Sequence, residues 1–542
     1  MKQKINGADL RRMVISAAAS VEIHKQKLND LNVFPVPDGD TGTNMAMTIN
    51  TAANDLKRSA AEATIEGVSA TAASAMLRGA RGNSGVILSL LFRGISRRLK
   101  GVEVCDGKTW AEALQAGVDA AYKAVMKPAE GTILTVSRLA AAAALEAAEQ
   151  ENDVIAVQKV AIDAAKVALD NTINQNPVLK KAGVVDAGGK GWLYVLKAMY
   201  KSLLGEDVEV PEGMEEVREQ AVFGSISDEE ITFTYCTEFI ISRENDKDPA
   251  ALRDFLDGIG DSLVLVDDEE IIKVHVHTND PGKALHEAID YGSFVTVKIE
   301  NMRLQHTEKV LDEAEKQPKI AEPEKTFGVV SVCAGEGLAG VFTDLGVDGI
   351  ISGGQTMNPS TQDILEAVNK VPAEVVYVLP NNKNIIMAAE QVDALTPKKV
   401  VVIPSKTVPQ GITAMLSFNP DGTEEENTEA LTEALRSVDT MQITYAARNS
   451  DFDGHEIHEG DYLAIFGSAL FGTSRDVKVL LKALAEKIKK SGKEYITIYY
   501  GADIKERQAQ KAADIFQEIC PDADVNLLYG GQPVYYYLIS AE

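Results

Sequence analysis

From Ile5 to Leu204 apolar residues, chiefly Ala, Leu, Ile, Val and Met, recur at three- and four-residue intervals, the repeat that lays one apolar stripe along a helix. Turn residues cut this stretch into eight segments of helical length: Ile5–Asp30, Asn44–Leu56, Gly67–Leu77, Gly85–Leu99, Thr109–Met126, Thr132–Glu149, Val154–Gln175 and Gly188–Leu204. The period then changes. Runs at Thr232–Ser242, Ser262–Asp267 and Ile271–His277, with helical patterns at Ala250–Gly258 and Lys283–Asp290, predict a small α+β module. Beyond Phe327–Cys333, β-rich runs at Gly349–Ser352, Val375–Leu379, Val400–Ile403, Tyr462–Phe466, Tyr495–Tyr500 and Val534–Ile539 alternate with helical stretches such as Asp476–Lys490 and Ile504–Ile519. That alternation predicts an α/β domain, with two subdomains joined at the acidic loop Asp421–Glu426.

Two charged, proline-bearing stretches separate these regions, one after Gly205 and one over Thr307–Lys325. The expected layout is three domains: an all-α domain over 1–205, an α+β domain over 206–320 and an α/β domain over 321–542. With 54 basic against 81 acidic residues the chain carries a net charge of −27, a field that repels nucleic acid and anionic membrane surfaces. Cys105, Cys236, Cys333 and Cys520 lie far apart without framework spacing, which points to a reducing compartment, the cytoplasm. No apolar run approaches the roughly 20 residues of a spanning helix, so no transmembrane segment is expected.

The strongest chemical signal is Asn32-Val-Phe-Pro-Val-Pro-Asp38-Gly-Asp40-Thr-Gly-Thr43-Asn44, between two helical segments. Asp38 and Asp40 flank a glycine, so a sharp turn can bring both carboxylates to one magnesium ion, which takes few protein ligands and shares itself with phosphates. An EF-hand does not fit, because Thr43 stands at the sixth loop place and Ile49 at the twelfth. A second turn, Arg78-Gly-Ala-Arg-Gly-Asn83-Ser84-Gly85, leads into an apolar helix whose first N–H groups suit an anion such as a phosphate of ATP; a plain helix cap by Asn83 or Ser84 is the competing reading. A third turn, Gly183-Val-Val-Asp186-Ala-Gly-Gly, has the same form, and no Walker A motif occurs.

These three turns together resemble the nucleotide-binding domain of dihydroxyacetone kinases, a barrel of eight helices. The domain order, helical kinase domain first and α/β domain last, resembles instead the catalytic subunit of bacterial fatty acid kinase, over essentially the whole chain. The resemblance implies magnesium held by three acidic positions; two match Asp38 and Asp40, and the third falls near Asn32, with Asp30 as the alternative. It also implies ATP binding, for which Thr43, Asn44, Asn83, Ser84, Gly85, Thr132 and Asp186 are the expected contacts.

In the middle module, His275 and His277 alternate with Val274 and Val276, and Cys236 sits on an earlier strand-like run. A thiolate and two imidazoles form a zinc-type ligand set, and the resemblance implies zinc at these positions. In the last domain, Cys333-Ala-Gly-Glu-Gly-Leu-Ala-Gly formally matches G-x-G-x-x-G, but the acidic residue a Rossmann site needs about 20 residues on is replaced by Gly353-Gly354-Gln355. The stretch Gly353-Gly-Gln-Thr-Met-Asn-Pro-Ser-Thr resembles the DegV type of lipid-binding protein. The implied function is phosphorylation of a fatty acid carboxylate, presented by a DegV-type carrier protein, by a homodimeric enzyme. A small-carbonyl kinase of the dihydroxyacetone type and a non-catalytic lipid-binding scaffold are the alternatives.

Overall fold

The computed structural model describes residues 4–32, 40–58, 64–125, 128–208, 235–245, 247–267, 271–301, 320–354, 357–447, 449–452, 455–467 and 469–542. The chain forms two compact units, residues 1–209 with 320–542, and residues 210–319.

The first part of the larger unit is helical throughout its described residues: α1 Gly7–Ile23, α2 Lys25–Asn29, α3 Thr41–Arg58, α4 Ile65–Gly79, α5 Gly82–Arg98, α6 Gly107–Ala124, α7 Ile133–Gln150, α8 Val154–Gln175, α9 Pro177–Ala182 and α10 Ala187–Leu203. Most starts carry side-chain caps: Thr64, Asp106, Thr132, Asp153, Asn176 and Asp186 each accept a first-turn amide. The expected first helix is broken in two, because His24 leaves helical geometry and places its Nδ1 2.7 Å from the Ser20 carbonyl. Inside the bundle, the Trp110 indole donates to Gln158 Oε1 at 2.7 Å, and Gln158 Nε2 donates to the Leu196 carbonyl at 2.9 Å.

The smaller unit contains β1 Tyr235–Arg243, α11 Pro249–Ile259, β2 Gly260–Asp267, β3 Ile271–Thr278, α12 Pro281–Ala288 and β4 Gly292–Asn301. Its strands form an antiparallel sheet in the order β2-β3-β1-β4. Phe239, Ile241, Ile272, Val274 and Val276 share one core with Leu252, Leu256, Ala284 and Ala288 of the two helices. Strand β4 was not among the expected runs, although its Val295, Val297 and Ile299 alternate cleanly.

The rest of the larger unit runs β5 Lys325–Cys333, α13 Glu336–Asp344, β6 Gly349–Ser352, α14 Thr361–Lys370, β7 Ala373–Leu379, α15 Ile386–Glu390, β8 Lys399–Val402, α16 Val408–Leu416, α17 Glu424–Ser437, β9 Asp439–Tyr445, β10 Ser450–Phe452, β11 His455–Ile457, β12 Tyr462–Phe466, β13 Ala469–Ser474, α18 Val477–Ser491, β14 Tyr495–Tyr500, α19 Glu506–Ile519, β15 Asp524–Tyr529 and β16 Tyr537–Ala541. A parallel sheet, β6-β5-β7-β8, is followed by a mixed sheet, β13-β12-β9-β16-β14-β15. Alternation along the parallel strands divides the interior. Val330, Val332, Val376 and Val378 join Ile364, Val368, Ile385 and Ala388 in a core continuous with that of the helices α1–α10, while Val329, Tyr377 and Leu379 pack with Leu463, Tyr499 and Leu538 of the mixed sheet. The two sheets therefore share an interior. The stretch expected to link separate subdomains, Asp421–Glu426, instead starts α17, with Thr423 and Glu426 forming a capping box.

Candidate functional site

The turn into α3 and the turn into α5 meet. Asn44, 4% exposed, follows Asp40 by one helical turn, and its amide donates to the Asp40 carbonyl at 2.8 Å. Thr48, one turn further on, donates from Oγ1 to the Asn44 carbonyl at 2.7 Å and accepts the Arg81 amide at 3.2 Å, so one hydroxyl ties α3 to the residue before α5. Gly82, with φ +56°, makes the close approach possible, since a Cβ there would stand 2.4 Å from Asn44 Nδ2. From the other side, Asn29 at the end of α2 accepts the Thr43 amide at 3.1 Å and donates to Thr43 Oγ1 at 3.0 Å.

The start of α5 differs from its neighbours. Its N-cap is Arg81, whose side chain makes no capping hydrogen bond, and neither Asn83 nor Ser84 serves as the cap. Asn83 Oδ1 is buried with no hydrogen-bond partner. A helix of 17 residues thus presents first-turn N–H groups without a side-chain cap, and Asn83 of that first turn holds an orphaned oxygen. Burial raises the pKa of Asp40, against hydrogen bonds from Asn44 and Asn358 and the charge of Lys383. A divalent cation would reverse that penalty, and the hard oxygens of Asp40 and Asn83 are the donors magnesium takes. The residues fit a metal-bound phosphate.

Asp186 and Thr132 form a second corner. Thr132 caps α7 and Asp186 caps α10, where its carboxyl accepts the Gly189 amide at 2.7 Å. Asp186 keeps part of its surface open, yet its carboxyl is packed closely enough for desolvation to push its pKa up to about 6. A little over one turn along α10, Gly191 abuts Met45, a Cβ there standing 2.5 Å from the sulfur, so α10 runs against α3 beside Asn44.

Asp38 lies outside the described residues. Asn32 follows the end of α2, its amide donating to the Asn29 carbonyl at 3.1 Å, and Asp30 closes that helix as its C-cap. The backbones of Cys236, His275 and His277 lie in β1 and β3, where Cys236 is registered opposite His277; their side chains lie outside the described residues. Sequence reasoning missed Asn29, Thr48 and Arg81, and it missed Asn358. This last residue, from the turn before α14, donates to Asp40 Oδ2 at 2.5 Å.

Comparison with known proteins matches three successive segments of the chain. The DAK2 domain model matches residues 35–201, and the FakA-like (fatty acid kinase) middle-domain and C-terminal models match residues 232–309 and 328–542. The chain is 40% identical to protein YloV of Bacillus subtilis (strain 168) over 99% of both chains. The chain belongs to the FakA-like family, named for fatty acid kinase. An uncharacterized protein of Staphylococcus aureus (strain USA300) is 39% identical over 100% of both chains. Among solved structures, the dihydroxyacetone kinase from C. freundii in complex with AMP-PNP and Mg2+ is similar over 37% of this chain and 35% of that one, at 24% identity and a TM-score of 0.29. The Streptococcus pneumoniae fatty acid kinase B3 protein loaded with linoleic acid is similar over 40% of this chain and 99% of that one, at 13% identity and a TM-score of 0.29. Membership of the FakA-like family gives the fold its class: a helical DAK2 domain, an α+β middle and an α/β C-terminal part. Among the described residues no helix is long and apolar enough to cross a membrane.

Proposed function

We propose that this chain transfers the γ-phosphoryl group of ATP to the carboxylate of a fatty acid presented by a DegV-type carrier protein, giving an acyl phosphate and ADP. The observation that carries the reading is the uncapped start of α5, with the buried, unpartnered Asn83 Oδ1 in its first turn and the Asp40 carboxylate tied to Arg81 ahead of it through Asn358, in a chain of this family. A carboxylate is already an anionic nucleophile, so the protein has little proton transfer to perform. Its work is to hold the two anions together and offset their repulsion.

Asp40 and Asp38, with Asn32 as a further ligand, hold magnesium; the ion supplies charge neutralisation on the phosphates. The first-turn amides at Asn83, Ser84 and Gly85 bind phosphate oxygens, and Thr43, Asn44, Thr132 and Asp186 complete the nucleotide contacts. Zinc is assigned to Cys236, His275 and His277, with support from the Cys236–His277 register, and metal analysis of the purified chain tests it. The working form is a cytoplasmic homodimer, which light scattering of the purified protein checks.

The deciding experiment incubates the full chain with magnesium, ATP and a fatty-acid-loaded DegV-type protein, and traps acyl phosphate as the hydroxamate. Wild type forms it, and Asp38→Ala or Asp40→Ala lowers the rate at least about 100-fold. ATP turnover with dihydroxyacetone but not with the loaded carrier would replace this reading by the small-carbonyl kinase. No ATP consumption with either acceptor would leave the lipid-binding scaffold.

A further inference from the structure

We propose that Asn358 is a positioning residue of the magnesium and phosphate site: its carboxamide fixes the Asp40 carboxylate, and its backbone carbonyl fixes Arg81 immediately ahead of α5. The proposal rests on the assignment of Asp40 and α5 under the proposed function, and it makes the C-terminal part of the chain a component of that site.

Asn358 sits in the turn before α14, yet it is only 3% exposed. Its Nδ2 donates to Asp40 Oδ2 at 2.5 Å and lies 3.5 Å from Asn44 Oδ1, so its amide group faces two site residues. Its carbonyl accepts from Arg81 Nη1 at 2.7 Å. The same guanidinium reaches Asp363 Oδ2 at 3.4 Å, the Thr361 amide donates to the Ala80 carbonyl at 3.1 Å, and Arg81 and Ser360 form an antiparallel bridge. The turn is rigid in its own right, since Pro359 fixes its backbone and Ser360 and Asp363 close a capping box on α14. Residues 80–82 and 358–363 therefore hold each other at several points.

The chemistry of the donor matters. A carboxylate that accepts an N–H on Oδ2 is fixed in rotation and offers Oδ1 in a set direction, which is how outer partners orient metal ligands. A lysine or arginine in the same place would also cancel the charge that attracts the cation. A neutral amide orients Asp40 and leaves its charge intact.

The test uses the full chain and follows AMP-PNP binding by calorimetry as magnesium is varied, with melting temperature measured in parallel. Asn358→Ala raises the magnesium concentration for half-saturation by about 10–100-fold, while nucleotide affinity at saturating magnesium stays near that of wild type. Asn358→Asp is isosteric and replaces the donor by a second negative charge. It melts below wild type in EDTA, and magnesium raises its melting temperature more than that of wild type. Should the alanine variant not fold, the aspartate variant decides alone. Wild-type magnesium dependence in the folded variants overturns the role of Asn358 and leaves the proposed function standing; a wild-type chain that does not bind AMP-PNP with magnesium overturns both.

Discussion

The Asp186 carboxyl accepts the Gly189 amide at 2.7 Å and so closes the start of its own helix, α10. The start of α10 favours its charged form, yet desolvation outweighs it and pushes its pKa up to about 6, above the ordinary 3.8. A raised acid stabilises the fold fully below its unfolded value and loses that contribution as pH rises through the folded one. Asp186→Asn keeps an acceptor without the charge. Denaturation of the ligand-free chain is expected to show the Asn variant gaining about 1–3 kcal/mol on wild type between pH 4 and pH 7. A difference that stays constant over that range would contradict the packing described for Asp186.

Thr48 is fully buried and its hydroxyl joins α3 to the turn before α5. Thr48→Val keeps the volume and removes the hydroxyl's hydrogen bonds to the Asn44 and Gly79 carbonyls, leaving the Arg81 amide without its acceptor. The expected cost is about 1–3 kcal/mol of stability, with weaker AMP-PNP binding measured by calorimetry. Intact nucleotide affinity in a destabilised variant would separate this hydroxyl from the phosphate turn.

The Trp110–Gln158–Leu196 chain of hydrogen bonds is buried in the helical bundle and includes none of the proposed site residues. Gln158→Leu strands the indole N–H and removes the side-chain bond to the Leu196 carbonyl, which keeps its partner within α10; this is expected to lower stability by about 1–3 kcal/mol while acyl phosphate formation by the folded fraction is unchanged. Urea denaturation followed by tryptophan fluorescence reads the first quantity, and the hydroxamate assay reads the second.

Helices were legible where a long apolar stripe repeats: the span of Val154–Gln175 read from periodicity is the span of α8. Shorter pieces escaped. Helix α9 covers only Pro177–Ala182, although Asn176 and Pro177 are ordinary start signals. The break at His24 has no proline or glycine to announce it. Asp40, Asn44 and Asn83 could be singled out because each belongs to a local turn, whose chemistry is written in consecutive residues. Asn358 could not be joined to them, since 318 residues separate it from Asp40 and only the folded sheet brings the two together. Its loop stood out as glycine-rich, but nothing in that composition names the carboxylate it serves.

The valines of β5 and β7 that face α14 and α15 belong to the same interior as the helices α1–α10. A fragment ending near residue 208 would therefore carry a bare greasy flank into water, where helices α4 and α5 normally meet α14 and α15. Expressed alone, it is expected to aggregate or to bind a hydrophobic dye that the whole protein ignores, as dye fluorescence and gel filtration would show. Biochemistry on the amino-terminal half needs the carboxy-terminal half kept attached.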